Sequence, residues 1–250
     1  MFYAPRETAY SAGEGRWGMI KSGQKNVLRR WAPLLVIAII AVVAGVVFSL
    51  NKTPPVAPSA PVAANEAALS APDLRPDDMI LGDPNAPVTI IEYASLSCPH
   101  CAEFHIQMLP KLKSEYIDQG KAKLVFRDFP LNKPALEAAV LARCMGPMRF
   151  FGIADALFRQ QQTWVTEDSL NQLASFARTA GIDQATFDAC QTEQTTKQTI
   201  IQRMQEDQEE FGIDATPTFI VNGQKVQGVQ SYEEFKAILD ARLADIPTEG

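Results

Sequence analysis

Ser97-Cys98-Pro99-His100-Cys101 is the stretch of the sequence that decides the fold. It stands between an apolar, β-favouring run, Val88 to Tyr93, and a helix-like run, Ala102 to Tyr116. A Cys-x-x-Cys at a strand-to-helix junction is the sequence form of a dithiol redox centre. Proline suits the first turn of a helix, because the N–H that it lacks would have no partner there. The pattern therefore predicts a helix that begins at Pro99, with Cys98 as its N-cap.

The N-cap position has a chemical consequence for Cys98. Its sulfur would lie near the free N–H groups of the first turn and the positive end of the helix dipole, which stabilise a thiolate. Cys101 follows three residues later, on the same helix face and one turn deeper. From that position it can close or resolve a disulfide with Cys98.

The size and charge of the chain limit the function classes. With 250 residues and 46% hydrophobic content, it can form one sizeable core with accessory elements. Residues 1–30 carry six Lys or Arg against two Glu, and residues 31–50 carry no charge, so the net charge of −6 leaves −10 after Leu50. An acidic body of this kind argues against nucleic-acid binding.

Three segments precede the globular part. Residues 1–30 are polar and basic without any helical or strand period, which predicts a disordered cytoplasmic segment, with Met19 as an alternative start. Residues 31–50 are uncharged and mostly apolar, and their length matches the hydrocarbon core of a bilayer. Residues 51–78 are rich in Pro and Ala, which predicts an extended linker that holds the domain off the membrane.

Two interpretations of residues 31–50 stay open. The first is an uncleaved transmembrane helix, favoured by the length of the run and by Pro54-Pro55 at the place of a cleavage site. The second is a cleaved signal peptide, whose apolar part is usually about 7–15 residues long. Because the basic residues lie upstream, the remainder of the chain would be exported. Both interpretations place the Cys-x-x-Cys outside the cytoplasm.

The domain 79–250 has the pattern of an α/β fold. Strand 88–93, the Cys-x-x-Cys helix with a break or kink at Pro110, and strand 123–129 follow one another. The order strand, helix, strand implies a parallel pair with a right-handed crossover connection.

A helical insertion interrupts this α/β pattern. Residues 134–211 show apolar residues at helical spacing, which predicts four or five inserted helices. Strand residues return at 216–226, with the hairpin signal Asn222-Gly223 between them. The run Ser231 to Glu234 is a capping box that opens a last amphipathic helix.

At this point the chain resembles a known family. The stretch Glu92 to Cys101 with its Cys-Pro-His-Cys, the helical insertion, and Thr216-Pro217-Thr218-Phe219 are similar to the DsbA-type thiol:disulfide oxidoreductases. The similarity covers roughly residues 80–242. It implies a thioredoxin-like fold, in which helices flank a central mixed sheet and a helical subdomain is inserted.

The resemblance also implies roles for the residues of the tetrapeptide. Cys98 would be the exposed nucleophile and Cys101 its buried partner, with Pro99 and His100 between them. His100 would further stabilise the Cys98 thiolate by hydrogen bonding or charge. Because a stabilised thiolate favours the reduced protein, the disulfide form would then oxidise other thiols.

Two further matches lie outside the tetrapeptide. Thr216-Pro217 corresponds to the cis-proline bond of the family, beside the redox pair, where the Thr216 backbone would pair with a substrate chain. Glu92 corresponds to the acidic residue under the active site and would accept a proton from Cys101. The alternative for Glu92 is a solvated strand residue, and His105 is expected at the helix surface or a groove edge rather than in catalysis.

Cys144 and Cys190 lie on apolar faces of predicted helices. Free buried thiols would fit that placement, but an even count in an oxidising compartment favours a structural disulfide. This pair departs from the best-known members of the family. A zinc site built from the four Cys and two His is disfavoured, because zinc ribbons normally pair one Cys-x-x-Cys with another. We therefore expect no metal and no cofactor besides the redox-active Cys98–Cys101 disulfide.

The functional hypothesis is an anchored, periplasmic or otherwise extracytoplasmic dithiol oxidase that introduces disulfides into exported proteins with reduced cysteines. Turnover would then need reoxidation by a quinone-linked membrane partner of the DsbB kind. A reductase or isomerase of the same fold is the first alternative. The second is a thioredoxin-like binding or assembly module without redox turnover.

Overall fold

The structure, a computed structural model, describes residues 72–246. The basic segment predicted for residues 1–30 and the membrane segment predicted for residues 31–50 lie outside this range, as does the linker up to residue 71. Within the described range, no helix has the length and apolar content that a membrane crossing requires.

A five-stranded mixed sheet forms the centre of the fold. Strand β2 is its middle strand and runs parallel to β3, whereas the pairs β1–β3, β2–β4 and β4–β5 are antiparallel. The spatial order is β1-β3-β2-β4-β5. The strands are β1 (Met79–Leu81), β2 (Val88–Ala94), β3 (Ala122–Asp128), β4 (Thr218–Val221) and β5 (Gln224–Gln227). This confirms the predicted α/β fold with a mixed sheet, although the short edge strand β1 was not predicted.

The redox stretch opens a continuous helical segment after β2. It begins with α1 (Pro99–Glu103), passes through a π-helical turn (Phe104–Met108) into α2 (Leu109–Leu112), and ends in a second π-helical turn (Lys113–Ile117). Proline cannot donate the N–H that an α-helix requires, and a π-helical turn directly before it accommodates this lack. Pro110 therefore does not end the helical segment.

Six helices, rather than four or five, are inserted between β3 and β4. Asn132 caps the first of them with its side chain, and a left-handed Gly212 ends the last. They are α3 (Lys133–Cys144), α4 (Pro147–Arg159), α5 (Gln161–Trp164), α6 (Ser169–Thr179), α7 (Gln184–Thr192) and α8 (Gln194–Phe211). The chain ends in the β4–β5 hairpin and α9 (Tyr232–Ala244), which begins with the predicted capping box of Ser231 and Glu234.

Successive side chains of β2 point to opposite faces of the sheet. Ile90 faces the helical segment after the redox stretch and α9, whereas Ile91 and Tyr93 face α8. The largest apolar cluster lies between the end of the sheet and the insertion, and it includes both Cys98 and Cys101. The redox stretch is therefore built into the core that joins the insertion to the sheet.

A buried ion-pair network fastens residues 72–78 to the α8 face of the sheet. The guanidinium of Arg75 donates two hydrogen bonds to the Asp207 carboxylate, at 2.7 and 2.8 Å. The guanidinium of Arg127 donates to both oxygens of Asp78, at 3.0 Å each, and to the Tyr93 hydroxyl, at 3.2 Å. The folded body therefore begins upstream of residue 79, the boundary predicted from sequence.

Removal of the Asp207 carboxylate should destabilise the domain strongly. Asp207 is 1% exposed, and its loss leaves the Arg75 guanidinium without its bidentate partner in a largely buried place. Breaking a buried pair from one side typically costs about 3–5 kcal/mol. We expect Asp207→Ala to lower the free energy of unfolding in urea by an amount in that range. Glu209→Ala, an exposed change on the same helix, is the control, and equal effects of the two variants would contradict the role of the network.

Candidate active site

The redox stretch adopts the helix-start geometry that its sequence predicts. Cys98 has an extended backbone (φ −78°, ψ 123°) and is the N-cap of α1, and Pro99 occupies the first helical turn. Both thiols are free, so the structure shows the reduced dithiol. Cys98 is only 5% exposed and Cys101 is fully buried. The expectation of an exposed Cys98 is therefore wrong, because its thiol packs against the loop that carries Thr216.

Hydrogen bonds lower the pKa of the Cys98 thiol to about 5, from an ordinary value of 9.0. The largest cause is the hydrogen bond from the Cys101 thiol. The Thr216 side-chain hydroxyl and the backbone N–H groups of Cys101 and His100 lower it further, and burial opposes all of them. These two N–H groups belong to the first helical turn, where no carbonyl of the helix can accept from them.

Cys101 has the opposite electrostatic environment. Burial is the largest cause that raises the pKa of its thiol, followed by the hydrogen bond that it donates to Cys98 and by the charge of Glu92. At neutral pH the pair therefore consists of a Cys98 thiolate and a protonated Cys101. These opposite protonation states are what a nucleophile and its resolving thiol require.

The loop before β4 lies against the Cys98 sulfur. The peptide bond between Thr216 and Pro217 is cis. The Thr216 carbonyl oxygen is 3.3 Å from Cys98 Sγ, and the thiol form of Cys98 donates to it. The structure thus brings Thr216 and Pro217 together with the tetrapeptide, although they lie more than a hundred residues away in sequence.

His100 is placed differently from the expectation. Its side chain is 72% exposed, and its Nδ1 lies 3.4 Å from a carboxylate oxygen of Glu103. In this arrangement the imidazole makes no hydrogen bond to Cys98 among the described contacts. His100 acts on the Cys98 thiolate through its backbone N–H, which the helix start directs at the sulfur.

Glu92 and His105 form a buried pair. Glu92 is fully buried on β2, which excludes the alternative of a solvated strand residue. His105 is 3% exposed, so the expectation of a place at the helix surface or a groove edge is wrong. His105 Nε2 lies 2.8 Å from Glu92 Oε2, whereas Glu92 Oε1 has no hydrogen-bond partner among the described residues. His105 follows Cys101 by four residues, the spacing that places two side chains on one helix face. That spacing was the signal in the sequence.

The helical insertion contributes directly to the site. The Phe158 ring of α4 stacks on the His105 imidazole, with ring centroids 4.3 Å apart. The Gln161 side chain at the start of α5 donates to the carbonyl oxygens of Leu96 and Cys98. An open groove of about 600 Å³ runs between α1 and the insertion, next to Pro99. Periodicity could not identify Gln161, because its contacts depend on how the insertion packs.

Cys144 and Cys190 form a disulfide between α3 and α7, with Cα atoms 5.8 Å apart. Their sulfurs are therefore unavailable as ligands for a zinc ion. Within residues 72–246 no group of three or more His, Cys, Asp or Glu is arranged to hold a metal ion. A second cavity of about 390 Å³ lies beside the ion-pair network, but its arginines already pair with the neighbouring aspartates.

Comparison with known proteins assigns the family. A thioredoxin family model matches residues 74–241. The crystal structure of Wolbachia pipientis alpha-DsbA1 is similar, with a TM-score of 0.65 and 32% identity over 68% of this chain and 93% of that one. The chain belongs to the DsbA-like thiol:disulfide oxidoreductases of the thioredoxin family. Disulfide bond formation protein D of Bacillus subtilis is 28% identical to this DsbA-like chain, over 72% of the chain and 82% of the relative.

Other relatives are longer than the matched part. A Rickettsia bellii protein named for protein-disulfide oxidoreductase activity is 29% identical over 171 residues, which are 68% of this DsbA-like chain and 66% of the relative. The chain therefore spans just under two thirds of the length of that relative.

The reactivity of Cys98 should follow the pKa of about 5. We expect the alkylation rate of the reduced chain by iodoacetamide to rise with pH up to about 5 and then to level off, since the thiolate is the nucleophile. Cys101→Ala removes the largest cause of the low pKa and should move the midpoint toward 9.0. A wild-type midpoint near 9 would contradict the electrostatics described above.

The same shift predicts how the stability of the reduced chain depends on pH. The unfolded thiol has the ordinary pKa of 9.0 and the folded one a pKa of about 5, so the unfolded state binds more protons between these values. The folded reduced chain should therefore gain stability as the pH rises from 5 to 9 and lose that gain as the pH falls back through 5. Urea unfolding of the reduced chain against Cys98→Ala, in which this dependence is absent, measures the difference.

Proposed function

We propose that this protein is a dithiol oxidase that introduces disulfide bonds into exported proteins through Cys98 and Cys101. The observation that carries the proposal is the opposite shift of the two pKa values within one buried pair. A stabilised Cys98 thiolate makes the reduced form of the pair favourable and its disulfide correspondingly oxidising.

The first half of the reaction transfers the disulfide to the substrate. A substrate thiolate attacks Cys98 Sγ in the Cys98–Cys101 disulfide, and the Cys101 sulfur leaves with the electron pair and takes up a proton. A second substrate thiolate attacks the substrate sulfur of this mixed disulfide and expels Cys98 as a thiolate. Two electrons have then passed from the substrate, which carries the new disulfide, to the Cys98–Cys101 pair.

The second half regenerates the oxidant. The Cys98 thiolate attacks a disulfide of the reoxidising partner, and Cys101 then attacks Cys98 Sγ and releases the partner as a dithiol. Cys101 must lose its proton for this attack, and the free Glu92 Oε1 is the acceptor that we assign. His105 on the other carboxylate oxygen holds Glu92 in place.

Recognition of the substrate chain is assigned to the Thr216–Pro217 loop. The Thr216 carbonyl oxygen, which lies 3.3 Å from Cys98 Sγ, would accept a hydrogen bond from a substrate main chain when Cys98 is in a mixed disulfide. We assign no metal and no cofactor to the reaction beyond the cysteine pair.

The proposed place of action is outside the cytoplasm. Residues 31–50 would anchor the protein in the inner (cytoplasmic) membrane, and the part of the predicted linker up to residue 71 would connect the anchor to the domain. A quinone-linked membrane oxidase of the DsbB kind is the proposed reoxidising partner. The disulfide between Cys144 and Cys190 is consistent with an oxidising compartment.

Transfer of the disulfide can be measured directly. The oxidised full-length chain is mixed without oxygen with a reduced, unfolded protein that has several cysteines. We expect one substrate disulfide for each Cys98–Cys101 disulfide consumed, and none with Cys98→Ser. Equal rates for the wild-type chain and Cys98→Ser would refute the proposal.

The reduction potential separates the oxidase from its alternatives. Equilibration of the Cys98–Cys101 pair with glutathione should give a potential above that of glutathione, because the thiolate is stabilised. A potential well below it would indicate a reductase. A pair that neither exchanges with glutathione nor transfers its disulfide would indicate a binding or assembly module.

The role of Glu92 can be tested because its charge and its function as proton acceptor affect the rate of the Cys101 attack in opposite directions. Removal of its charge lowers the pKa of Cys101, which by itself speeds the attack on Cys98. Removal of the proton acceptor slows the same step, by about tenfold or more. We expect Glu92→Gln to lengthen the lifetime of the mixed disulfide between Cys98 and glutathione at neutral pH. Glu137→Gln, a change at a buried carboxylate in the insertion, is the control. A shorter lifetime in Glu92→Gln would contradict proton acceptance.

A further inference from the structure

The amide of Gln161 lies between two backbone carbonyls of the redox turn. Its Nε2 donates to the Leu96 oxygen, at 2.7 Å, and to the Cys98 oxygen, at 2.9 Å. Two acceptors in this position require the NH₂ group of the amide rather than its oxygen, so the orientation of the amide is determined by the chemistry. One side chain of the insertion thus holds the backbone on both sides of Ser97.

The two carbonyls differ in how much they depend on Gln161. The Cys98 oxygen also accepts from the Ala102 N–H, at 3.1 Å, as the first bond of the helix. Among the described residues, Gln161 is the one hydrogen-bond donor to the Leu96 oxygen. A carbonyl in this largely buried turn would otherwise lack a hydrogen bond, at a cost in free energy.

The backbone position of Gln161 is fixed independently of its hydrogen bonds to the redox turn. It opens the short helix α5, whose last residue, Trp164, is fully buried and donates its indole N–H to the Leu157 oxygen at 2.8 Å. Because Trp164 anchors α5 in the core of the insertion, the Gln161 side chain loses little further freedom when it binds the turn. The adjacent Gln162 is exposed, and its side chain makes no hydrogen bond to the other described residues.

We propose that Gln161 is a positioning residue that sets the electron affinity of the cysteine pair by fixing the N-cap geometry of Cys98. The N–H groups of His100 and Cys101 lower the pKa of Cys98 only while the turn before the helix keeps the sulfur near them. Gln161 restrains the two carbonyls that flank this turn, and its positively polarised NH₂ group offsets their negative ends near the thiolate. This inference rests on the proposed function, because it concerns the redox poise of the same site.

The inference predicts a change in two linked quantities. Gln161→Met keeps the length and flexibility of the side chain but removes both donors. We expect it to raise the pKa of Cys98 and to shift the equilibrium with glutathione on the order of tenfold toward the disulfide form, because the thiolate loses part of its stabilisation. The protein would become a weaker oxidant.

Both quantities are measured on the full-length chain. The pH dependence of alkylation gives the pKa of Cys98, and equilibration with glutathione gives the position of the redox equilibrium. Gln162→Met is the matched control and should leave both unchanged. Gln161→Glu keeps the shape of the side chain but directs an oxygen at the carbonyls, so it should shift the equilibrium at least as far as Gln161→Met.

The outcomes of this experiment are separable. If the wild-type chain has an ordinary Cys98 pKa, the proposed function fails first. If the wild-type pKa is low and Gln161→Met lowers the free energy of unfolding without moving either the pKa or the glutathione equilibrium, Gln161 is only a structural contact and the inference is overturned. A shift of equal size in Gln162→Met would overturn it as well.

Discussion

The backbone N–H groups at the start of α1 are the constraint on which the site depends. They have no acceptor within the helix, and Pro99 and Cys98 stand where a chain normally supplies a capping oxygen. Here the Cys98 sulfur takes that place, and these N–H groups add to the hydrogen bond from the Cys101 thiol, the largest cause, in lowering the pKa of Cys98. A thiolate satisfies these donors better than a thiol, so folding itself favours the charged sulfur. The rest of the architecture holds this sulfur in place, controls its partner and keeps water away from both.

Three parts of the chain that are distant in sequence meet at this sulfur. The central strand β2 carries the turn that precedes it, the loop before β4 supplies the Thr216 carbonyl, and the insertion supplies Gln161 and Phe158. A thioredoxin-like sheet alone provides only the first two. The insertion therefore belongs to the redox centre, because it fixes the backbone on one side of Cys98 and covers the buried His105 on the other.

Local chemistry explains which features could be predicted from sequence. The helix start at Pro99, the Asn222-Gly223 turn and the capping box at Ser231 depend on neighbouring residues, and the structure shows each of them. The burial of His105, the contacts of Gln161 and the fastening of Arg75 by Asp207 depend on partners far away in sequence. The outward His100 ring has a related explanation. The same helix start that aims its N–H at Cys98 leaves its side chain free to turn to solvent.

Two buried groups of charged residues lie on opposite faces of the sheet and meet strand β2 at neighbouring residues. Glu92 and Tyr93 point to opposite faces of the sheet, so the redox carboxylate and the ion-pair network around Arg127 lie on different sides. Arg127 is matched by Asp78 and Asp207 on its own face, whereas the one described side-chain hydrogen bond of Glu92 is to His105. The charge of Glu92 adds to burial and to the hydrogen bond with Cys98 in raising the pKa of Cys101, which keeps the proton on Cys101. Cys98 lies one helical turn before Cys101, and hydrogen bonds stabilise it as a thiolate. The pKa values of the two neighbouring thiols therefore move in opposite directions.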